Sequence, residues 1–120
     1  MHELSIAIDL VELACDELAR LGSVRVDALH LRMGPLCGVV KDALLFAFDV
    51  AAADTRLEGA TLKIEEVPLT VWCSQCGTEV VLDRTQRRRC PVCDGTTPTI
   101  VRGGELELVA LEVTDVDPDR

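Results

Sequence analysis

The chain has 120 residues, a formal net charge of −9 and 48% hydrophobic residues. That length can bury one modest core with a small module beside it. The acidic balance argues against a broad nucleic-acid footprint, no apolar run approaches membrane-spanning length, and Phe46, Phe48 and Trp72 are too few aromatics for a base-stacking platform.

Leu4, Ile8, Val11, Cys15 and Leu18 recur at helical spacing and predict a helix over Ser5 to Leu21, stopped near Gly22. Its stripe is expected to be core, with Cys15 packed in it, while Asp9, Asp16 and Glu17 form the wet face. Val24 to Met33 alternates and reads as a strand, with Leu29, Leu31 and Met33 on one face and His30 on the other. His30 is expected on a sheet surface, with a second metal ligand as the other reading. Gly34 to Gly38 is a loop, and Val40, Leu44, Ala47, Phe48 and Ala51 mark a second helix over Val39 to Ala53.

Leu57 to Gly59 is a turn. Thr61 to Val71 reads as one strand, bent or placed at an edge by Pro68. Trp72 to Ile100 is a metal module, inside which Glu79 to Leu82 is expected to pair with Thr99 to Val101. Leu106 to Val113 is the last strand, returning to the first sheet, and Thr114 to Arg120 is a polar tail. The expected class is α+β: a small three-stranded sheet packed with two helices, plus an inserted four-cysteine, zinc-ribbon-like module.

The module rests on Cys73, Cys76, Cys90 and Cys93. Two Cys-x-x-Cys knuckles separated by 13 residues can converge four thiolates on one tetrahedral ion. Zinc suits four soft sulfur donors with no open position, which makes the site architectural. Two disulfides or four unrelated thiols are the competing readings. Gly77 and Gly95 follow the knuckles, where tight turns are needed. Arg87 to Arg89 is the only basic run. It reads as a solvated loop, or as a contact for phosphate or an acidic partner.

Met1-His2-Glu3 forms a second candidate ligand set. If Met1 keeps its free α-amine, that amine, the His2 amide nitrogen and the His2 imidazole can close fused chelate rings. Glu3 could add its amide or its carboxylate. Nitrogen-rich planar sets suit Ni²⁺ and Cu²⁺. Metal must displace protons from the amine and the amide, so binding should weaken in acid. The plain alternatives are a solvated histidine and a carboxylate that favours a helix start.

These pieces together resemble the HypA/HybF family of nickel metallochaperones. The resemblance is carried by Met1 to Ala7, Met33 to Val40, Ala43 to Phe48, Leu62 to Pro68, the paired knuckles, and Glu105 to Val113. It implies nickel cargo on the Met1 amine and His2, assisted by Glu3, for assembly of nickel-iron hydrogenase. It implies structural zinc on the four cysteines. The nickel-binding domain would be 1–71 with 101–120, and the zinc module 72–100.

The partners implied are a HypB-type GTPase and the hydrogenase large-subunit precursor, without nucleic acid or membrane. Cys37 stands where the family often has serine; it is expected as a small residue in a turn, or else as a soft ligand. Pro35 and Asp42 also depart from the usual pattern. No catalytic motif is recognisable, so a non-enzymatic carrier is expected. A zinc-ribbon adaptor for nucleic acid or protein is the alternative. With no signal-peptide pattern and metal-type cysteine spacing, a cytoplasmic protein is expected. A monomer and a homodimer that exchanges its last strand and inserted module both remain open.

Overall fold

The computed structural model describes residues 2–82, 89–95 and 99–116. Two helices and six strands follow in the order α1 (Glu3–Leu21), β1 (Val24–Met33), α2 (Lys41–Ala52), β2 (Thr61–Glu66), β3 (Leu69–Cys73), β4 (Thr78–Leu82), β5 (Thr99–Arg102) and β6 (Leu106–Asp115). They form two three-stranded sheets, ordered β2-β1-β6 and β4-β3-β5. The chain divides into two compact units. One holds the chain up to Leu31, Val39–Ile64 and the chain from Leu108; the other holds Arg32–Gly38 and Glu65–Glu107.

In the first unit, α1 starts two residues earlier than the sequence predicts. His2 is an extended N-cap whose carbonyl accepts from the Ile6 amide at 3.2 Å, and Glu3 places an acid in the first turn. Gly22, at φ 81°, closes the helix through its amide to the Leu18 carbonyl. The buried face is Ile6, Ala7, Leu10, Val11, Ala14 and Leu18. This corrects the expected stripe: Leu4 and Ile8 are 45% and 43% exposed, and Cys15 is half-buried. The apolar arc of α1 is wider than the surface that covers it. Ala7 and Ala14 permit the closest backbone approach, so the buried centre moves to their side.

Helix α2 buries Leu44, Ala47, Phe48 and Ala52, while Val40 caps it as an exposed residue and not as core. At its start, the Val40 amide donates to Glu3 Oε2 at 3.1 Å. Beyond its end, Arg56 donates to the carbonyls of Leu18, Gly22 and Val24 at 3.3, 2.8 and 3.1 Å. The two helix starts therefore meet, the two ends meet, and the helices run in the same direction. Arg56 also sets a cation against the carbonyl end of α1, which the helix dipole favours.

Strand β1 buries Leu29, Leu31 and Met33 as expected, but also Val26 and Ala28. The buried phase thus advances by one residue at Ala28–Leu29. Asp27 meets Thr114 and His30 meets Glu112 across the sheet, so three steps along β1 match two along β6. That is the count of a β-bulge, and it keeps the apolar residues on one side despite the broken alternation. The other side is charged. Glu112 accepts from Lys63 at 3.0 Å and lies 2.5 Å from His30 Nε2, joining all three strands. Strand β6 returns to the first sheet, as the sequence predicts; it lies there beside β1 and extends to Asp115.

The expected single strand from Thr61 to Val71 is two strands. The Val67 amide bonds to the Met33 carbonyl at 2.8 Å, and Pro68 then offers no N–H to continue a ladder. The chain resumes as β3, the centre of the second sheet, with Trp72 opposite both Glu79 and Thr99. The expected pairing of Glu79–Leu82 with Thr99–Val101 is corrected accordingly: both segments flank β3. The reason is burial, since Leu69, Thr70, Val71 and Cys73 are all buried whereas β5 is exposed throughout.

Leu69, Val71 and Leu82 form the core of this unit, with Leu36 and Val80 against it. The loop after β1 is tied in by the Gly34 amide to the Glu105 carbonyl at 2.8 Å and the Leu36 amide to the Gly103 carbonyl at 2.7 Å.

Candidate metal centres

The end of β3 supplies Cys73, and the turn after it supplies Cys76. A second turn supplies Cys90 and Cys93. The two turns are built alike. The Gly77 amide bonds to the Cys73 carbonyl, and the Asp94 amide to the Cys90 carbonyl, both at 2.8 Å. The residue four after each leading cysteine is left-handed: Gly77 at φ 68° and Asp94 at φ 58°. The left-handed position of the second knuckle is therefore Asp94 and not the expected Gly95, because an aspartate tolerates that conformation. Gly95 is needed for space, since a Cβ there would lie 3.2 Å from Cys93 Sγ and 3.0 Å from Gln75 Oε1.

The four sulfurs all lie within 4.8 Å of one another. Cys73 and Cys93 are 3.4 Å apart, and Cys76 and Cys90 are 3.8 Å apart. A tetrahedron with Zn–S bonds of about 2.3 Å has edges of about 3.8 Å. A disulfide would need about 2.05 Å. The cluster therefore fits a four-sulfur ion and departs from the disulfide reading.

Amides already point at the sulfurs: Cys76 N–H at Cys73 and Val92 N–H at Cys90, each at 3.4 Å. The Cys76 amide is the first cause that lowers the Cys73 thiol to about 7, while the neighbouring Cys93 and Cys73 sulfurs push Cys76 up to about 12. The Cys73 thiolate is thus favoured near neutrality, whereas the raised Cys76 thiol keeps its proton unless a bound cation displaces it. Cys73 and Cys90 are buried, Cys76 is half-buried and Cys93 is exposed. Zinc bound here would supply cross-linking only, because all four donors come from the chain.

At the other candidate site, His2 is exposed and forms no side-chain hydrogen bond among the described residues, while Met1 lies outside them. As the N-cap and the first residue of α1, His2 and Glu3 carry amides with no intrahelical acceptor. The Glu3 carboxyl is held below its ordinary range, first by the Val40 amide. This link across 37 residues left no signal in the sequence, because it depends on how α2 is placed.

His30 and Cys37 join neither cluster, and the four cysteines are the only group of three or more potential ligands among the described residues. Arg87 and Arg88 lie outside the described residues; Arg89 pairs with Asp94 at 3.1 Å.

Fold and site together define a small α+β protein with a four-cysteine module suited to zinc and a solvent-facing histidine at its helical N-terminus. The sequence model of the family described as "Hydrogenase/urease nickel incorporation, metallochaperone, hypA" matches residues 1–113, and the chain belongs to that family. It is 56% identical over 119 residues to hydrogenase maturation factor HypA of Roseiflexus sp. (strain RS-1), covering 99% of this chain and 97% of that one.

Hydrogenase maturation factor HypA of Chloroflexus aurantiacus (strain ATCC 29366 / DSM 635 / J-10-fl) is 54% identical over 112 residues, covering 93% and 98%. The fold is similar to the solution structure of the Ni metallochaperone HypA from Helicobacter pylori, with a TM-score of 0.62 at 22% identity over 97% of this chain and 100% of that one. A second HypA solution structure gives a TM-score of 0.69 at 20% identity, covering 95% and 97%. Metallochaperones of this family are carriers, not catalysts. No helix among the described residues is long and apolar enough to cross a membrane.

Proposed function

We propose that this protein carries Ni²⁺ at its N-terminus and delivers it during maturation of nickel-iron hydrogenase, while zinc on Cys73, Cys76, Cys90 and Cys93 holds the ribbon together. The observation that carries the reading is the family match over residues 1–113, which includes both ligand sets. The nickel donors are the Met1 amine, His2 and Glu3. Unlike the four convergent sulfurs, the His2 side chain is exposed and makes no hydrogen bond among the described residues. Few donors at an exposed end allow exchange; four sulfurs in a closed module resist it.

Delivery needs recipients, and these are a HypB-type GTPase and the hydrogenase large-subunit precursor in the cytoplasm. The family description names urease beside hydrogenase, so both clients belong in a delivery assay.

The test is calorimetry and metal analysis on untagged protein. The unaltered chain should take up one Ni²⁺ beyond its zinc. His2→Ala should abolish nickel uptake and leave zinc unchanged, and one extra residue before Met1 should weaken it by moving the amine. Unchanged nickel affinity in His2→Ala would remove the assignment.

A further inference from the structure

Phe46 is the most exposed aromatic side chain among the described residues. It is one of two phenylalanines in the chain and is 73% exposed on α2, while Phe48, two residues on, is 1% exposed. Exposed Val50 lies one turn further along the same face. Asp42, one turn before Phe46, and Asp49, three residues after it, flank the ring at helical spacing. Neither aspartate makes an ion pair among the described residues. Asp42 has a local reason to be there, in the first turn of α2. Asp49 has none.

We propose that the Phe46–Val50 face of α2 is a docking knob for a protein partner that offers an apolar pocket rimmed by lysine or arginine. This rests on the reading above that the chain hands metal to another protein. Charge decides among the occupants. A second copy would bring the same two carboxylates against each other on a chain of net charge −9. Anionic lipid and nucleic acid meet the same repulsion. A cationic rim reverses the sign of both contacts and steers encounter, and an aromatic anchor ringed by polar groups is the usual form of an energetic centre at an interface.

The test measures binding of the full-length zinc-loaded protein to the HypB-type GTPase and to the hydrogenase large-subunit precursor, by biolayer interferometry at low and high salt. Phe46→Ala should weaken the complex at least about tenfold. The double variant Asp42→Asn with Asp49→Asn should lower the on-rate and flatten its salt dependence. Because these side chains are exposed, thermal melts and zinc content should match the unaltered protein and verify folding.

Binding by Phe46→Ala within twofold of normal overturns the proposal. So does binding of neither protein by the unaltered chain, or a Phe46-dependent homodimer in sedimentation. Nickel calorimetry of Phe46→Ala should be normal, so failure of the docking surface and failure of the nickel reading are separable.

Discussion

Gly34→Ala tests the packing that closes the second unit. A Cβ at Gly34 would lie 2.1 Å from the Gly103 carbonyl oxygen, 2.2 Å from its carbon and 2.8 Å from its Cα. All three atoms are backbone, so no side chain can swing aside. Relief requires the two segments to part by more than about 1 Å, since real carbon contacts begin near about 3.4 Å. The bonds from Gly34 to Glu105 and from Leu36 to Gly103, at 2.8 and 2.7 Å, are the ones that stretch.

Losing both costs about 1 kcal/mol each, and overpacking adds about 1–3 kcal/mol, for a total of about 3–5 kcal/mol. Gly38→Ala is the control. Gly38 has φ 79° but nothing within 4 Å of an added Cβ, so only the backbone preference is lost, about 1 kcal/mol. Urea unfolding of zinc-loaded protein, followed by Trp72 fluorescence, would separate the two. If Gly34→Ala were no more destabilised than Gly38→Ala, the close approach argued here would be wrong.

Two further outcomes follow from the charged sheet face and the sulfur cluster. Glu112 titrates below its ordinary range, first because of Lys63 and then His30. A depressed folded value means stability that is present above the unfolded value and lost as pH falls through the folded one. The destabilisation caused by Glu112→Gln should therefore be measurable at pH 7 and fade below about pH 4; an undiminished difference at pH 3 would contradict it. A chelator should remove the metal cross-link, and the NMR signals of Val71, Val80 and Leu82 should lose dispersion while those of Leu44 and Phe48 keep theirs. Retention of a dispersed ribbon spectrum without metal would show that the apolar cluster suffices alone.

The four-cysteine cluster was legible in the sequence because each half of it is a short local spacing. The element types were legible for the same reason. Periodicity over α1 and alternation over β1 report contacts between near neighbours. What failed depended on partners remote in sequence. The expected α1 stripe held at Val11 and Leu18 but failed at Leu4 and Ile8, because these are as apolar as Ile6 and Leu10 and only the packed neighbours decide between them.

The break at Val67–Pro68 was visible as a proline, yet the transfer of β3 to another sheet was not. The equivalence of Gly77 and Asp94 was hidden because a left-handed aspartate looks like any other acid. The bond from Val40 to Glu3 could not be foreseen, since the donor is main chain and carries no residue signature.

That bond has a practical side. Glu3 belongs to the first turn of one helix, yet its carboxylate is fastened to the start of another helix 37 residues away. A substitution at this single position therefore unfastens two helix starts at once.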